Sequence, residues 1–172
     1  MKERRRKIEI VPYNPAWPKE FSRLKKTLSE HLGDLILGIE HVGSTSVPGL
    51  AAKPIIDIDI VVEKEKQKEV IASLEDLDYQ HRGDLGITGR EAFKNPAGNT
   101  FMKHHLYVCP RESTALKEHL TLRDYLRKNQ AAREEYARLK QLLAVKYTYD
   151  IERYIEGKTE LIRNILKKSL PE

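Results

Sequence analysis

The spacing of hydrophobic and polar residues in the first half of the chain predicts both strands and a helix. Residues 7–14 (KIEIVPYN) alternate, which indicates a strand. Residues 35–43 (LILGIEHVG) and 54–63 (PIIDIDIVVE) predict two more strands. Between the first two strands the apolar residues recur every three to four positions, which is typical of a helix with one buried face, and Gly33 is placed to end it; these positions are Trp17, Phe21, Leu24, Leu28 and Leu32.

The second half of the chain changes from short strands to long helices. Residues 64–78 predict a helix, and its inward positions are Val70, Ile71, Leu74 and Leu77. Residues 79–109 then hold short predicted strands (YQHR, EAFKN and TFMKHHLYVC) separated by glycine-containing turns. Three helices with few breakers are predicted at 112–128, 130–148 and 150–168.

This order of elements predicts an α+β fold with a C-terminal helical subregion. We expect one domain over residues 8–168, made of a mixed core (8–110) and the helical subregion (111–168). The helical part is too short and too charged to hold a separate core. Residues 1–7 are predicted to form a basic flexible tail.

Composition limits the class of protein. With 172 residues, 40% hydrophobic and 33% charged, the chain suits one soluble globular domain. No stretch approaches the length of a membrane-spanning helix. Cys109 is the sole cysteine, which excludes a disulfide framework and a cysteine-based zinc cluster. We therefore expect a cytoplasmic protein without a membrane partner.

Charge is unevenly distributed along the chain. Residues 1–7 hold five basic and one acidic side chain, residues 8–110 hold 12 basic and 15 acidic, and residues 111–172 hold 14 basic and 10 acidic. An acidic core beside a basic segment suits metal and polyanion chemistry. Ordinary solvated helix faces would give the same distribution, so the charge alone does not choose between these interpretations.

Two aspartates interrupt the most hydrophobic predicted strand. Side chains alternate along a strand, so Asp57 and Asp59 point to one face while Ile56, Ile58 and Ile60 point to the other. Two carboxylates so close repel each other unless a cation lies between them. Mg²⁺ prefers a few hard oxygen ligands, together with water and substrate phosphates. The pair therefore predicts a magnesium site.

The turn before this strand offers groups that suit a phosphate. Gly43 removes a side chain where another group must approach the backbone. Hydroxyls and N–H groups that can hold an anion come from Ser44, Thr45 and Ser46, and Lys53 could add a positive charge. The spacing matches neither a P-loop nor a hydrolase nucleophile elbow nor a calcium loop. In the alternative interpretation, the aspartates lie on the exposed face of a half-buried strand and the serines form only a turn.

The same residues resemble a known family. The pattern GS, a dozen residues, then DID is similar to the signature of the nucleotidyltransferase superfold, and IEHVGSTSVPGLAAKPIIDIDIVV resembles the GrpB family within it. The segments VPYNPAWPKEF, HHLYV, LRDYLRKNQAAREEYARLKQLLA and YIEGKTELI extend the resemblance over residues 8–168. It implies a nucleotidyltransferase-like mixed sheet flanked by helices, and a likeness to a segment fused to dephospho-coenzyme A kinase.

The resemblance implies a role for each residue of the motif. Gly43 and Ser44 would hold a triphosphate, and Asp57 and Asp59 would be metal ligands. The superfold usually adds a third carboxylate from a later strand, whereas this sequence offers His104 and His105 there. His105 alternates onto a face with Lys103 and Tyr107, so it is the predicted catalytic histidine, whereas His104 is predicted to pack.

Other polar residues allow two interpretations each. Arg123 contacts a triphosphate in one interpretation and forms salt bridges within its helix, beside Asp124 and Arg127, in the other. Four residues at helical spacing suit either packing or a basic groove: Tyr136, Lys140, Tyr154 and Lys158. His41 is expected to pack, with a hydrogen bond that steadies the turn as the alternative, and Trp17 is expected to anchor the first helix in the core.

These observations predict a Mg²⁺-dependent nucleotidyltransferase that uses a nucleoside triphosphate and an unknown acceptor, which is a small molecule, a protein or an RNA. In the alternative, the chain is a non-catalytic module that binds a nucleotide, another anion or a partner. RNA binding through the basic tail and C-terminal helices is a third interpretation.

Overall fold

The computed structural model describes residues 5–169, and the first four residues of the predicted basic tail lie outside this range. Five strands form one mixed sheet in the order β1-β2-β5-β4-β3. The central pair, β2 and β5, is parallel, and the other neighbours are antiparallel. The strands are β1 Gly38–Val42, β2 Ile56–Val62, β3 Gln80–His81, β4 Glu91–Lys94 and β5 His104–Pro110.

Within residues 5–169, five α-helices flank the sheet, which confirms the predicted α+β class and the C-terminal helical subregion. Helix α1 precedes β1, α2 lies between β2 and β3, and the other three come after β5. Their bounds are α1 Trp17–Leu32, α2 Gln67–Glu75, α3 Thr114–Lys128, α4 Gln130–Lys146 and α5 Ile151–Ser169. In this part of the chain no helix combines the length and the apolar character that crossing a bilayer requires.

The main core lies between α1, α2 and one face of the sheet. Ile56, Ile58 and Ile60 of β2 are fully buried in it, with Trp17 of α1 and Val70 of α2. This arrangement confirms the predicted inward face of β2 and the predicted role of Trp17. Because side chains alternate along the strand, Asp57 and Asp59 emerge on the opposite face.

The helical subregion covers that opposite face. Leu126, Tyr136 and Ile165, one from each of α3, α4 and α5, form a second core cluster with Val47 and Leu50 from the segment after β1. The three helices therefore pack in a common core with the segment that follows β1. This packing brings polar side chains of α3, α4 and α5 toward the aspartates.

The predicted first strand is the main difference between the expected and the observed elements. Residues 7–14 contain a single β-bridge, in which Val11 pairs with Ala52, and Ile8 donates a hydrogen bond to the carbonyl of Thr148 at 2.8 Å. The segment contacts two separate parts of the fold and does not lie along an edge of the sheet. Alternation alone does not distinguish such a segment from a strand.

Candidate functional site

A cavity of about 340 Å³ lies between the polar face of the sheet and the C-terminal helices. Its volume is within the range of small-molecule sites. The predicted site residues that line it are Gly43, Ser44, Thr45, Lys53, Asp57, His105 and Arg123. Asp59 and Ser46 do not line it. The fold thus brings seven of the nine predicted residues to one cavity, and their chemical roles stay predictions.

The turn at Gly43 is shaped to receive Asp57. Gly43 has φ 72° and ψ −176°, a conformation that is essentially reserved for glycine. A Cβ atom at this position would lie 2.2 Å from Oδ2 of Asp57. The missing side chain therefore makes the space that the carboxylate occupies.

The hydroxyls of Thr45 and Ser46 hold the turn in place. Oγ of Ser46 donates to the carbonyl of Gly43 at 2.5 Å, and Oγ1 of Thr45 lies 2.9 Å from Nε2 of His41. His41 packs as predicted, since its ring stacks on Phe21 with 4.6 Å between the centroids, and it also makes this hydrogen bond. Burial lowers the pKa of His41 to about 4, so its ring is neutral at pH 7. Ser44 is left to face the cavity.

Each aspartate pairs with a histidine. The parallel register places Asp57 opposite His105, and Nδ1 of His105 lies 2.9 Å from Oδ1 of Asp57. His119 lies on the side of α3 that faces β2, and its Nδ1 lies 2.7 Å from Oδ2 of Asp59. The side chain of Asp57 is 28% exposed, whereas that of Asp59 is 0% exposed. Asp57 is therefore the carboxylate that a ligand in the cavity meets first.

Asp59 is fully buried and keeps one oxygen without a hydrogen-bond partner in the part of the chain that the structure describes. Its Oδ1 is buried and finds no hydrogen-bond partner among residues 5–169. Burial raises the pKa of Asp59, against the hydrogen bond and charge of His119, which lower it. Burial lowers the pKa of His119, but the hydrogen bond and charge of Asp59 raise it, and the net shift is upward.

The far side of the cavity is basic. Lys53, Lys140 and Lys158 line it, from the segment before β2, from α4 and from α5. Burial, together with repulsion from Lys158 and Lys53, lowers the pKa of Lys140 to about 7, and burial together with repulsion from Lys53 lowers that of Lys158 to about 8. Burial also lowers the pKa of Lys53. Asp57 raises the pKa of all three, which places its charge beside them.

Two tyrosines lie among these lysines. Nζ of Lys53 and Nζ of Lys158 lie 5.2 and 4.7 Å from the ring centroid of Tyr154, and Nζ of Lys140 lies 4.8 Å from that of Tyr136. Lys140, which is 2% exposed, also donates to the carbonyl of Ala51. The two interpretations of these residues, packing and a basic groove, are therefore both realised.

Arg123 is held by acids at the edge of the cavity. Its guanidinium lies 2.6 Å from Glu40 of β1 and 2.8 Å from Asp124, and it donates to the carbonyl of His41 at 3.1 Å. The salt bridge to Asp124 matches the intrahelical interpretation. Arg127 instead donates to the carbonyl of Ser46 at 2.9 Å. Arg123 thus ties α3 to the sheet while it lines the cavity.

The other histidine of β5 packs, as predicted. His104 is 2% exposed, its Nε2 lies 2.7 Å from the hydroxyl of Tyr79, and its Nδ1 lies 2.8 Å from the carbonyl of Met102. Burial lowers the pKa of His104. The alternation along β5 therefore assigned the two neighbouring histidines to the correct faces.

Sequence reasoning missed His119 and did not assign Lys140 and Lys158 to the site. A signal for His119 was present, since His119, Arg123 and Arg127 are spaced by four residues and so lie along one face of α3. The lysines carried a less specific signal, because Lys140 and Lys158 each lie four residues after a tyrosine, a spacing that suits packing as well as a basic groove. A lysine on a charged helix is usually solvated, and here the tertiary packing buries it.

Comparison with known proteins identifies the family. The GrpB protein family matches residues 7–168. This chain belongs to the GrpB family. It is 38% identical over 160 residues to UPF0157 protein YqkA of Bacillus subtilis, which covers 92% of this chain and 46% of YqkA. It is 32% identical to Glutamate-rich protein GrpB of Alkalihalophilus pseudofirmus, covering 94% of this chain and 95% of that protein.

The GrpB likeness extends into a larger enzyme. The chain is 25% identical over 190 residues to a dephospho-CoA kinase of Mycolicibacterium paratuberculosis, covering 94% of this chain and 46% of that protein. The chain thus spans about half the length of YqkA and of this kinase. The predicted likeness to a segment of dephospho-coenzyme A kinase is confirmed.

Solved structures confirm the fold. The crystal structure of conserved protein GrpB from Enterococcus faecalis matches with a TM-score of 0.82 at 34% identity, covering 94% of this chain and 96% of that chain. Cid1 in complex with its short product ApU matches with a TM-score of 0.55 at 13% identity, over 76% of this chain and 42% of that chain. The GLD-2/RNP-8 complex matches with a TM-score of 0.56 at 17% identity, over 94% of this chain and 64% of that chain. At these identities the last two show the fold alone, which is nucleotidyltransferase-like.

Proposed function

We propose that this GrpB domain binds a nucleoside triphosphate together with Mg²⁺ and transfers its nucleotidyl group to an acceptor, releasing pyrophosphate. The observation that carries the proposal is the meeting of three lysines with Asp57 in one cavity. A cavity with one buried and two half-buried lysines on one side and a carboxylate on the other suits a polyanion whose charge is partly neutralised by a metal. A triphosphate is such a ligand.

The basic side of the cavity would hold the phosphates. Ammonium groups attract phosphate oxygens strongly where water is excluded, and Lys140 and Lys158 are largely withdrawn from water. The lowered pKa values mean that the free site carries less than its full charge at neutral pH. A bound triphosphate would favour protonation of these lysines. Ser44 and the backbone of Gly43 would contact the phosphates nearest to Asp57.

The residues present fit Mg²⁺ when phosphates are bound with it. Within residues 5–169 no group of three or more His, Cys, Asp and Glu side chains could hold an ion. Mg²⁺ needs only one or two carboxylates where phosphates and water complete its shell. Asp57 lines the cavity, and the buried Oδ1 of Asp59 has no hydrogen-bond partner among the described residues. Asp57 and Asp59 would hold the ion, which would neutralise the phosphates and help pyrophosphate to leave.

A non-catalytic binding module is the second candidate, and one observation favours it. The residues of β5 opposite Asp57 and Asp59 are His105 and Tyr107, so β5 places no carboxylate beside the pair. In an enzyme, His105 would have to serve the attack of the acceptor in place of the usual acid. In a module, the triphosphate would bind and remain intact.

Calorimetric titration tests the proposal. ATP, GTP, CTP and UTP are titrated with and without Mg²⁺ into the wild type, into Asp57→Asn and into Asp76→Asn, an exposed carboxylate at the end of α2 that serves as control. We expect at least one nucleotide to bind in a metal-dependent way, about tenfold or more weakly in Asp57→Asn, and as in wild type in Asp76→Asn. No binding to the wild type, or equal binding to Asp57→Asn, would contradict the proposal.

A second measurement separates the candidates. The bound nucleotide is incubated with mixtures of small molecules, proteins and RNA, and pyrophosphate release is followed. Metal-dependent release that is lost in Asp57→Asn supports the transferase. Binding without release for any acceptor supports the module. Affinity for RNA that falls steeply with salt and ignores Asp57→Asn would instead support the RNA-binding interpretation.

A further inference from the structure

The wall of the cavity beside Asp57 is formed by an imidazole. Nδ1 of His105 and Oδ1 of Asp57 lie 2.9 Å apart, and both residues line the cavity. Their side chains are 43% and 28% exposed, so a solute can reach both. Parallel pairing of β2 with β5 places the two residues directly opposite each other. The rigid centre of the sheet therefore fixes a nitrogen and an oxygen side by side at the point where the metal is expected.

The separation of the two atoms suits a shared ion. Ligand atoms at about 2.1 Å from an ion, in adjacent octahedral positions, lie about 3.0 Å apart. An ion could therefore replace the proton between Nδ1 and Oδ1 without movement of either strand. Imidazole nitrogen is a ligand for divalent transition metals, whereas Mg²⁺ prefers oxygen.

We propose that His105 and Asp57 together are ligands of the metal, and that the site therefore prefers a divalent transition ion such as Mn²⁺ to Mg²⁺. The inference rests on the proposed function, since bound phosphates and water would complete the coordination shell. The second aspartate–histidine pair differs, because His119 lies 2.7 Å from Oδ2 of Asp59, whereas the oxygen of Asp59 without a hydrogen-bond partner among the described residues is Oδ1. His119 is thus expected to stay hydrogen-bonded to Asp59 and not to bind the ion.

Electron spin-echo spectroscopy of bound Mn²⁺ tests this assignment. Mn²⁺ is added to the protein with inorganic tripolyphosphate, a probe that contains no nitrogen. We expect a nitrogen modulation in the wild type that changes from the ¹⁴N to the ¹⁵N pattern when the protein is made with [¹⁵N]histidine. This labelling experiment needs no variant. Bound Mn²⁺ without a histidine signal would overturn the inference.

Variants assign the signal to one histidine. The modulation should be absent in His105→Gln and present in His119→Gln. It should also be present in His81→Gln. This is a matched control, because the imidazole of His81 also lies close to a carboxylate, 2.6 Å from Glu91, but His81 belongs to the edge strand β3 and does not line the cavity. A signal that survives His105→Gln, or that disappears only in His119→Gln, would overturn the assignment.

Affinities give a second readout. His105→Gln should weaken Mn²⁺ binding with tripolyphosphate by about tenfold or more and change Mg²⁺ binding much less. Equal weakening of both ions would contradict a nitrogen ligand. If neither ion binds with tripolyphosphate to the wild type, the proposed function fails as well. If both ions bind but no nitrogen is seen, the inference about His105 alone fails. Urea unfolding of each variant confirms that it is folded.

Discussion

Gly43 and Asp57 lie in contact across the turn that follows β1. The turn needs a glycine for two separate reasons, its backbone conformation and the space taken by Oδ2 of Asp57. Gly49, six residues later, also has a positive φ of 81°, but a Cβ there would meet nothing within 4 Å. Alanine at Gly49 would therefore cost only the free energy of a strained backbone, whereas alanine at Gly43 would also displace the carboxylate of Asp57.

We predict that Gly43→Ala loses metal-dependent nucleotide binding and that Gly49→Ala keeps it. Both variants place alanine at a positive φ, which costs about 1–3 kcal/mol in the free energy of unfolding. Only Gly43→Ala also pushes Asp57 out of position. Urea unfolding measures the first effect and calorimetry the second. Wild-type affinity in Gly43→Ala would show that the position of Asp57 does not matter for binding.

At the scale of single elements, α4 and α5 are held close by another glycine. A Cβ at Gly157 would lie 2.5 Å from Cδ2 and 2.9 Å from Cδ1 of Leu143, which is 6% exposed. Gly157 precedes Lys158, and Leu143 lies one turn after Lys140. The spacing between the two helices therefore sets where the two lysines enter the cavity.

We predict that the effect of Gly157→Ala on the free energy of unfolding depends on the size of the side chain at position 143. Alanine in place of a helical glycine normally stabilises by about 1 kcal/mol, but crowding a packed leucine costs about 1–3 kcal/mol. Gly157→Ala should therefore fail to stabilise the wild type and should stabilise Leu143→Ala by about 1 kcal/mol. Urea unfolding of the four proteins in this double-mutant cycle checks the sign. Stabilisation of equal size in both backgrounds would contradict the close packing.

Strands could be predicted more fully than the contacts between elements. Alternation assigned Asp57, Asp59 and His105 to one face of their strands, since that period is a local property. It could not show that β2 pairs with β5, nor that residues 7–14 form only one bridge. Both depend on contacts between distant segments. The four-residue spacing of His119 and Arg123 marks the polar face of α3, but the sequence does not show which strand that face covers, so the contact of His119 with Asp59 could not be predicted.

For the whole molecule, the buried lysines couple stability to pH. The pKa of Lys140 falls from 10.5 to about 7 on folding, and that of Lys158 to about 8. Between these values and about pH 10, the unfolded chain binds more protons than the folded one. The free energy of unfolding therefore rises with pH across this window, and below about pH 7 the contribution of Lys140 is constant.

We predict that this rise is smaller in Lys140→Met than in the wild type, because the variant lacks one of the titrating groups. Tripolyphosphate should oppose the rise, since it binds the protonated lysines and stabilises the wild type most at pH 6–7, less at pH 9. Unfolding in urea from pH 6 to 10, with and without tripolyphosphate, measures both effects. Parallel curves for the two proteins would contradict burial of this charge.

The hydrogen bond from Lys140 to Ala51 joins positions that are 89 residues apart. During synthesis on the ribosome, the aspartates emerge first, and the α5 residues that line the cavity, among them Tyr154 and Lys158, emerge last. A nascent chain that stops before α5 has its aspartates but lacks the tyrosine and the lysine that α5 adds to the basic side of the cavity. Under the proposed function, nucleotide binding would therefore mark a chain whose translation has passed α5.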